Sequence, residues 1–162
     1  MASFCCQQLL AAGGAPRDRR VAAALTGYLF DTSVMHRLNR EGVADAVHRL
    51  GADRLLYRCA MVELELQISA TSPGDYQRAR DRLHGVFADL PVTPEIMQRA
   101  LGVQQKLVEV SQHRGVSPAD LIIAACAEIH GATLVHYDGD YERIGKVTGQ
   151  PMRWVVPAGS VG

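Results

Sequence analysis

Short apolar segments alternate with longer segments of helical periodicity along most of this chain, and that alternation restricts the folds open to it. Strands that alternate with helices usually form a parallel sheet, because each crossover carries a helix back over the sheet. We therefore predict an α/β fold, a three-layer α/β/α sandwich whose mostly parallel central sheet has four to five strands. The predicted strands cover residues 24–30, 54–59, 133–136 and 152–156, with 90–92 as a short strand or a connector.

Three predicted helices begin with the same local signal, a Ser or Thr followed directly by Pro. The pairs Ser72-Pro73, Thr93-Pro94 and Ser117-Pro118 each supply a hydroxyl for capping and a Pro whose backbone angle suits a first helical turn. The helices at 61–70 and 75–88 would form a helical hairpin. The other predicted helices are 94–114, 121–130, 42–50 and 142–147, with one more from its cap at Ser33 to about Arg40.

The length of 162 residues fits one compact domain, which we place at 26–157, with a flexible extension at 1–25 and a tail at 158–162. Acidic and basic residues balance at 17 each, so neither a disordered chain nor a polycationic nucleic-acid coat is indicated. The four cysteines show no CxxC spacing, which argues against a zinc site or a disulfide framework. Because no secretory signal or membrane-length apolar run is visible, we expect a cytoplasmic protein.

Acidic residues stand where predicted strands end or where a predicted helix begins. In open parallel sheets ligands gather at the carboxyl ends of strands, so these side chains would meet at one edge. Carboxylates brought together repel one another unless a hard divalent cation neutralises them, and an all-oxygen set suits Mg²⁺ or Mn²⁺. Such an ion can activate water and stabilise charge on a phosphoryl group, so we infer hydrolysis of a phosphodiester. The acids are Asp31, Glu63, Glu65, Asp120, Asp138 and Asp140.

Glu63 and Glu65 lie two residues apart on one predicted helix, so only one of them should face such a site. Thr32 and Ser33 follow the first acid and could hydrogen-bond a metal ligand or the scissile phosphate, although Ser33 could equally be a helix cap. Single acids also have structural explanations: Asp120, for example, lies in the first turn of a helix, where the helix dipole favours an acid. The joint pattern is what predicts a metal site.

Three segments of the chain resemble the PIN-domain ribonucleases, and among them the VapC toxins of bacterial toxin–antitoxin modules. YLFDTS, from Tyr28, is similar to the family's opening motif, and QPMRWV, from Gln150, is similar to its closing strand. PADLIIAACAEIHGATLVHYDGDYERI, from Pro118, resembles the third and fourth acidic motifs. The resemblance covers about 28–156 and implies a PIN domain. By position, it implies catalytic roles for Asp31, Glu65, Asp120 and Asp138, and metal binding by Asp31, Asp120, Asp138 and Asp140.

The resemblance also bears on the choice between the two glutamates. In the family the second acid precedes a small pair of residues by four positions, and Ser69-Ala70 stands four after Glu65. Glu65 is therefore favoured as the site acid. Glu63 would instead be a charge near a helix N-terminus, stabilised by the helix dipole.

The activity implied by the resemblance is that of a Mg²⁺-dependent endoribonuclease toxin, acting on tRNA or rRNA. It also implies a homodimer and a cognate VapB-type antitoxin in the groove of the helical hairpin, which the apolar pairs Leu64/Ile68 and Val86/Leu90 could line. An alternative is a catalytically weak PIN module that binds RNA or its antitoxin and regulates its own operon. A Rossmann-like nucleotide or phosphate-ester enzyme is disfavoured, because neither GxGxxG nor GxxxxGK[ST] follows the first strand.

Arginines on the predicted helices could hold RNA phosphates around the acids, although a charge run on a helix is often only a solvated face. Histidines are expected to be structural or solvated, since no nucleophile–histidine–acid arrangement is recognisable. The candidate RNA-binding residues are Arg37, Arg40, Arg78, Arg80 and Arg82.

Overall fold

Within residues 27–161, which the computed structural model describes, the central sheet has five strands, all parallel, in the order β3-β2-β1-β4-β5. The predicted α/β architecture with a parallel sheet is confirmed. The predicted extension at 1–25 and the first residues of the predicted strand at 24–30 lie outside the described residues. The strands are β1 Tyr28–Phe30, β2 Leu56–Cys59, β3 Ala88–Leu90, β4 Thr133–His136 and β5 Met152–Trp154.

Both faces of the sheet are covered. Leu29 and Phe30 are neighbours in β1 and both are fully buried, as are Leu134 and Val135 in β4. Because consecutive strand residues point to opposite faces, packing must exist on each side, as a three-layer sandwich requires. No helix within residues 27–161 is both long and apolar enough to cross a membrane. The helices are α1 Thr32–Met35, α2 Val43–Gly51, α3 Ala60–Gln67, α4 Pro73–Val86, α5 Pro94–Glu109, α6 Pro118–Ile129 and α7 Asp140–Thr148, with a 3₁₀ turn at His113–Gly115.

The three Ser/Thr-Pro signals begin helices as predicted. Ser72, Thr93 and Ser117 are N-caps, and each side-chain oxygen accepts a hydrogen bond from the backbone N–H three residues further on. The Pro that follows lacks an N–H that would have had no helical partner, so the helix loses nothing by it. The start of α6, which carries Asp120, is therefore determined by local sequence.

The prediction for helix α1 is wrong in its cap and in its end. The helix stops at Met35 instead of reaching Arg40, and its N-cap is Asp31. Asp31 accepts the hydrogen bond from the Ser33 N–H. The Ser33 hydroxyl is used elsewhere, since it accepts a hydrogen bond from the Tyr137 N–H at 2.9 Å. The residue expected to cap a helix instead joins α1 to the end of β4.

The second helix of the predicted hairpin ends at Val86, and Ala88 already belongs to β3. Phe87 leaves the helix in an extended conformation, and its ring packs edge-on against Phe30 at a centroid distance of 5.5 Å. Burial of this aromatic ring ends the helix early. The edge strand consequently lies two residues before the connector or strand expected at 90–92.

The ends of α5 and of the described chain also differ from expectation. Helix α5 stops at Glu109 instead of continuing to about Arg114, and Ser111 has a positive φ of 58°, which a helix interior does not accommodate. In the predicted tail, Val161 is held by Tyr137. The Tyr137 hydroxyl donates to the Val161 carbonyl oxygen and accepts from the Val161 N–H, each at 2.9 Å.

Candidate active site

Asp31 lies at the carboxyl end of β1, where the chain turns into α1. It is 4% exposed. Its Oδ2 accepts a hydrogen bond from the Ser33 N–H at 2.8 Å, and its Oδ1 accepts one from the Tyr141 hydroxyl at 2.6 Å. These donors replace water that a buried carboxylate loses, so Asp31 is held in one orientation.

Glu65 lies beside Asp31 because α3 begins directly after β2, the neighbour of β1 in the sheet. The Thr32 hydroxyl donates a hydrogen bond to Glu65 Oε2 at 2.5 Å. Thr32, the residue after Asp31, therefore holds the carboxylate that the helix after β2 supplies. Thr32, predicted as a supporting residue, contacts one of the predicted acids.

Glu63 points into a different environment from Glu65. It accepts hydrogen bonds from Arg58 at 2.8 Å and Arg80 at 2.9 Å, and His84 Nε2 lies 3.0 Å from it. Burial raises the pKa of Glu63, but the hydrogen bonds from His84 and Arg80, with the charge of Arg58, outweigh burial and hold that pKa below its ordinary value. The structure does not bring Glu63 to the acids around Asp31.

Asp120 lies in the first turn of α6 and takes part in a capping box with Ser117. Its Oδ2 accepts from the Ser117 N–H at 3.0 Å, while its own N–H donates to the Ser117 hydroxyl at 3.1 Å. Burial raises the pKa of Asp120; the hydrogen bonds with Ser117 oppose that shift, and the negative charges of Asp31 and Asp138 add to it. Three predicted acids are thus near enough for their charges to interact.

Asp138 and Asp140 follow β4 and form one turn. Asp138 Oδ1 accepts from the Asp140 N–H at 2.9 Å, and Asp140 Oδ1 is paired with Arg143 at 2.8 Å. The arginine occupies one oxygen of Asp140, whereas Asp138 is tied only to the backbone. The Asp140 carboxylate is therefore partly neutralised by a cationic side chain.

Tyr141 and His136, which the sequence did not single out, contact two of these acids. Tyr141 is fully buried, and burial, together with the charges of Asp31 and Asp120, raises its pKa well above the ordinary value, so its hydroxyl remains a donor. His136 is also fully buried, and its Nδ1 accepts from the Asp138 N–H at 3.3 Å. Burial lowers the pKa of His136, which keeps the imidazole neutral. In the sequence, nothing about either residue except its place near an apolar segment marks it as a neighbour of the acids.

The donor set has the chemistry that a hard divalent cation prefers, since its members are all carboxylates. As they stand, no three His, Cys, Asp or Glu side chains in the described range 27–161 come close enough together to hold an ion. Asp31, Glu65, Asp120 and Asp138 are instead each held by a protein donor. Their carboxylate oxygens are ligands of the type that Mg²⁺ or Mn²⁺ prefers, but the side chains would have to move closer together to bind such an ion.

The sequence model of the PIN domain family matches residues 28–147, a span that contains all of these acids. The chain belongs to the PIN-domain family. Two curated relatives, the ribonucleases VapC51 and VapC18 of Mycobacterium tuberculosis, are each 42% identical to it over 134 and 137 residues, covering 83% of this chain and 96% and 98% of theirs. These relatives place the PIN domain in the VapC group, as its motifs implied, and the Rossmann-like alternative is set aside.

A solved structure shows the same fold. VapBC2 from Rickettsia felis, bound to a DNA fragment from its promoter, matches this PIN domain with a TM-score of 0.68 and 14% sequence identity. The match covers 78% of this chain and 97% of that chain. At 14% identity, this similarity supports the fold alone.

The arginines predicted to bind RNA are dispersed over this PIN domain. Arg37 lies at Ser33 and Tyr137: its Nη1 donates to the Ser33 carbonyl oxygen at 3.0 Å, and its guanidinium stacks over Tyr137 at 4.8 Å. Arg80 is engaged by Glu63. The others lie elsewhere: Arg78 is 3.9 Å from Asp75, Arg82 lines an apolar groove, and Arg40 is exposed.

Helices α1 to α4 of the PIN domain enclose an apolar groove with a volume of about 760 Å³. Val86 lines it and remains 60% exposed. Leu64 and Ile68 are 63% and 88% exposed but do not line the groove, and Leu90 is buried in the core. Of the two apolar pairs expected there, only Val86 faces it. The larger apolar lining residues are Met35, Leu38, Val47, Leu56, Leu66, Leu83, Val86 and Phe87.

Proposed function

We propose that this PIN domain is a Mg²⁺-dependent endoribonuclease of VapC type, a toxin that hydrolyses RNA phosphodiester bonds. The observation that carries the proposal is the gathering of acids from three strand ends and one helix start at a single edge of the sheet. The curated relatives named as VapC ribonucleases support the same chemistry. Parallel sheets bind ligands at this edge, which the connecting helices leave open.

Asp31, Asp120 and Asp138 would hold the cation, with Asp140 as an alternative ligand. When bound, Mg²⁺ supplies positive charge for the transition state and lowers the pKa of water. Asp31 is pre-oriented by its two hydrogen-bond donors. Glu65 has one oxygen held by Thr32, which leaves the other to orient the attacking water.

The substrate we propose is tRNA or rRNA, encountered in the cytoplasm. Arg37 supports an RNA substrate because it lies next to Ser33 at the rim of the acids. A guanidinium matches the geometry of a phosphate group and stays charged at all physiological pH values. Carboxylates alone would repel the RNA backbone, so a cation and a nearby arginine are both needed to receive it.

Cleavage of total cellular RNA by the purified, antitoxin-free protein tests this function. Reactions contain Mg²⁺, Mn²⁺ or EDTA, and new RNA ends are mapped. Asp120→Asn is the matched variant, because asparagine keeps an oxygen for the Ser117 N–H and removes only the charge. We expect discrete cuts with metal and at least ~100-fold slower cleavage by the variant.

Thermal melts of the two proteins supply the control for folding. The variant should melt at or slightly above the wild-type temperature, since it relieves repulsion of Asp120 by Asp31 and Asp138. Cutting that persists in EDTA would refute metal dependence. Absence of cutting by a folded, metal-bound protein would refute the nuclease.

We further propose that a VapB-type antitoxin occupies the apolar groove with an amphipathic segment. The groove is lined mainly by apolar side chains, and it is bounded by α1 and α3, which carry Thr32 and Glu65. An apolar helix face buried there would exclude water from the groove and lie next to the acids. A bound segment would thereby reach the site that it inhibits.

A homodimer is proposed from a second apolar surface, on α5. Met97, Leu101 and Val108 are 43%, 59% and 49% exposed, and their spacing places them on one face of that helix. A stripe of large apolar residues left in water is unfavourable, and a second copy of the chain would cover it symmetrically. The two proposed interfaces use different helices and can be occupied together.

A catalytically weak PIN module that binds RNA or its antitoxin is the second candidate. It is favoured by one observation, that the acids of the described range do not converge to ion-binding distance without an ion. The RNA cleavage experiment separates the candidates: a binding module retains RNA and produces no new ends.

A further inference from the structure

Tyr141 stands out among the buried residues because its side chain carries a polar group. It lies in α7, has no exposed surface, and is the largest of the fully buried side chains. Its hydroxyl donates a hydrogen bond of 2.6 Å to Asp31 Oδ1, across a separation of 110 residues in sequence. The ring packs beside His136 at a centroid distance of 5.1 Å.

Packing alone does not require this hydroxyl. A phenylalanine would fill the same space between the sheet and α7, and it would avoid the loss of hydration that a buried hydroxyl suffers. That loss is offset here by the bond to Asp31. The hydroxyl of Tyr141 is therefore explained by its hydrogen bond to Asp31 and not by core packing.

We infer that Tyr141 is a positioning residue that fixes the Asp31 carboxylate for cation binding, an inference that rests on the proposed metal-dependent function. Asp31 has two oxygens and each is held by a different donor, Oδ2 by the Ser33 N–H and Oδ1 by Tyr141. With only the Ser33 contact, the carboxylate could rotate about that bond. With both contacts it is fixed before an ion arrives, so less conformational entropy is lost on binding.

The test is the affinity for Mn²⁺, measured by calorimetry and by electron paramagnetic resonance without RNA. Tyr141→Phe removes a single oxygen and keeps the ring. Tyr137→Phe is the matched control: it removes the same atom from a neighbouring tyrosine whose hydroxyl bonds to Val161 instead of a carboxylate. We expect Tyr141→Phe to bind Mn²⁺ about 10-fold more weakly and Tyr137→Phe to bind as the wild type does.

A double variant shows whether Tyr141 acts through Asp31. If it does, adding Tyr141→Phe to Asp31→Asn lowers Mn²⁺ affinity no further than Asp31→Asn alone. The double variant lacks both the donor hydroxyl and the Asp31 charge, so no buried carboxylate is left short of a donor and the comparison holds even where Tyr141→Phe alone is poorly stable. Melting temperatures in EDTA monitor folding throughout.

Cleavage supplies a second readout with its own signature. In Tyr141→Phe, the Mn²⁺ concentration for half-maximal cleavage should rise about 10-fold, while kcat at saturating Mn²⁺ stays near that of the wild type. Unchanged Mn²⁺ affinity in a folded Tyr141→Phe protein, or equal losses in Tyr137→Phe, would overturn the role of Tyr141 alone. A wild-type protein that binds no Mn²⁺ would overturn the cation site and Tyr141's role with it.

Discussion

The Thr32 hydroxyl and Glu65 Oε2 are 2.5 Å apart, and this hydrogen bond joins the helix after β1 to the helix after β2. Glu63, two residues earlier on the same helix, is bound by Arg58 and Arg80. One helix thus directs two glutamates to different surroundings. Glu65 is bound by Thr32 next to Asp31, whereas Glu63 links α3 to β2 through Arg58 and to α4 through Arg80.

Glu65→Gln should lower the rate of RNA cleavage by ~100-fold or more, because a neutral amide neither attracts the cation nor accepts a proton from water. Glu63→Gln should change that rate less than about threefold, since its partners lie outside the site. Single-turnover cleavage with saturating Mg²⁺ measures both. The reverse ranking of the two variants would assign the second acid to Glu63.

Glu63→Gln should instead lower the free energy of unfolding at neutral pH, by about 1–3 kcal/mol, because hydrogen bonds to a charged group are lost and Arg58 stays buried. The folded-state pKa of Glu63 lies below its ordinary value of 4.5. Its stabilising contribution is therefore present above about pH 4.5 and is lost as the pH falls through the folded-state pKa.

Urea unfolding of wild type and Glu63→Gln, measured from neutral pH down to pH values below 4.5, checks this dependence. The difference between the two proteins should be largest at neutral pH and should shrink as Glu63 becomes protonated. A difference that stays constant across the range would show that the carboxylate charge contributes nothing to stability.

Val86→Glu should weaken binding of the cognate antitoxin by about 10-fold or more, since it places a charge against an apolar segment in the groove. Val86 is 60% exposed, so the fold should tolerate the change. Ile68→Glu is the control: this residue is 88% exposed on the same helical hairpin and does not line the groove. Titration of antitoxin in an RNA cleavage assay, with binding by calorimetry, compares the two, and equal effects would argue against the groove.

Leu101→Glu should convert a homodimer into a monomer, because Leu101 is the most exposed of the apolar side chains along the α5 stripe. Light scattering after size-exclusion chromatography gives the mass directly. Leu55→Glu, at a residue 60% exposed outside α5, should leave the mass unchanged. A wild-type protein that is monomeric at micromolar concentration would contradict the proposed interface.

Local sequence predicted the features that depend on near neighbours. Ser72, Thr93 and Ser117 begin helices because a hydroxyl and the following Pro meet the needs of a first turn without help from the rest of the chain. The parallel sheet followed from the alternation of strands and helices. The positions of Asp31 after β1 and of Asp138 after β4 followed too, because the carboxyl ends of parallel strands share one edge.

Long-range packing decided what the local pattern left open. Helix α4 ends at Val86 because Phe87 is drawn into the core against Phe30. Ser33 is no helix cap, since its hydroxyl receives the N–H of Tyr137 more than 100 residues away. Such contacts have no signature in a short window of sequence, because either partner alone looks ordinary.

At the candidate site, too, local sequence and long-range packing determined different features. The sequence by itself determined the fold class, the starts of the main helices and the acids available at one edge, because these depend on local propensity and residue order. Only the tertiary structure showed that Thr32 holds Glu65, that Arg58 and Arg80 hold Glu63, and that Tyr141 holds Asp31. The physical reason is that the direction of a side chain depends on its partner in space, and that partner is brought near only when the sheet and its helices assemble.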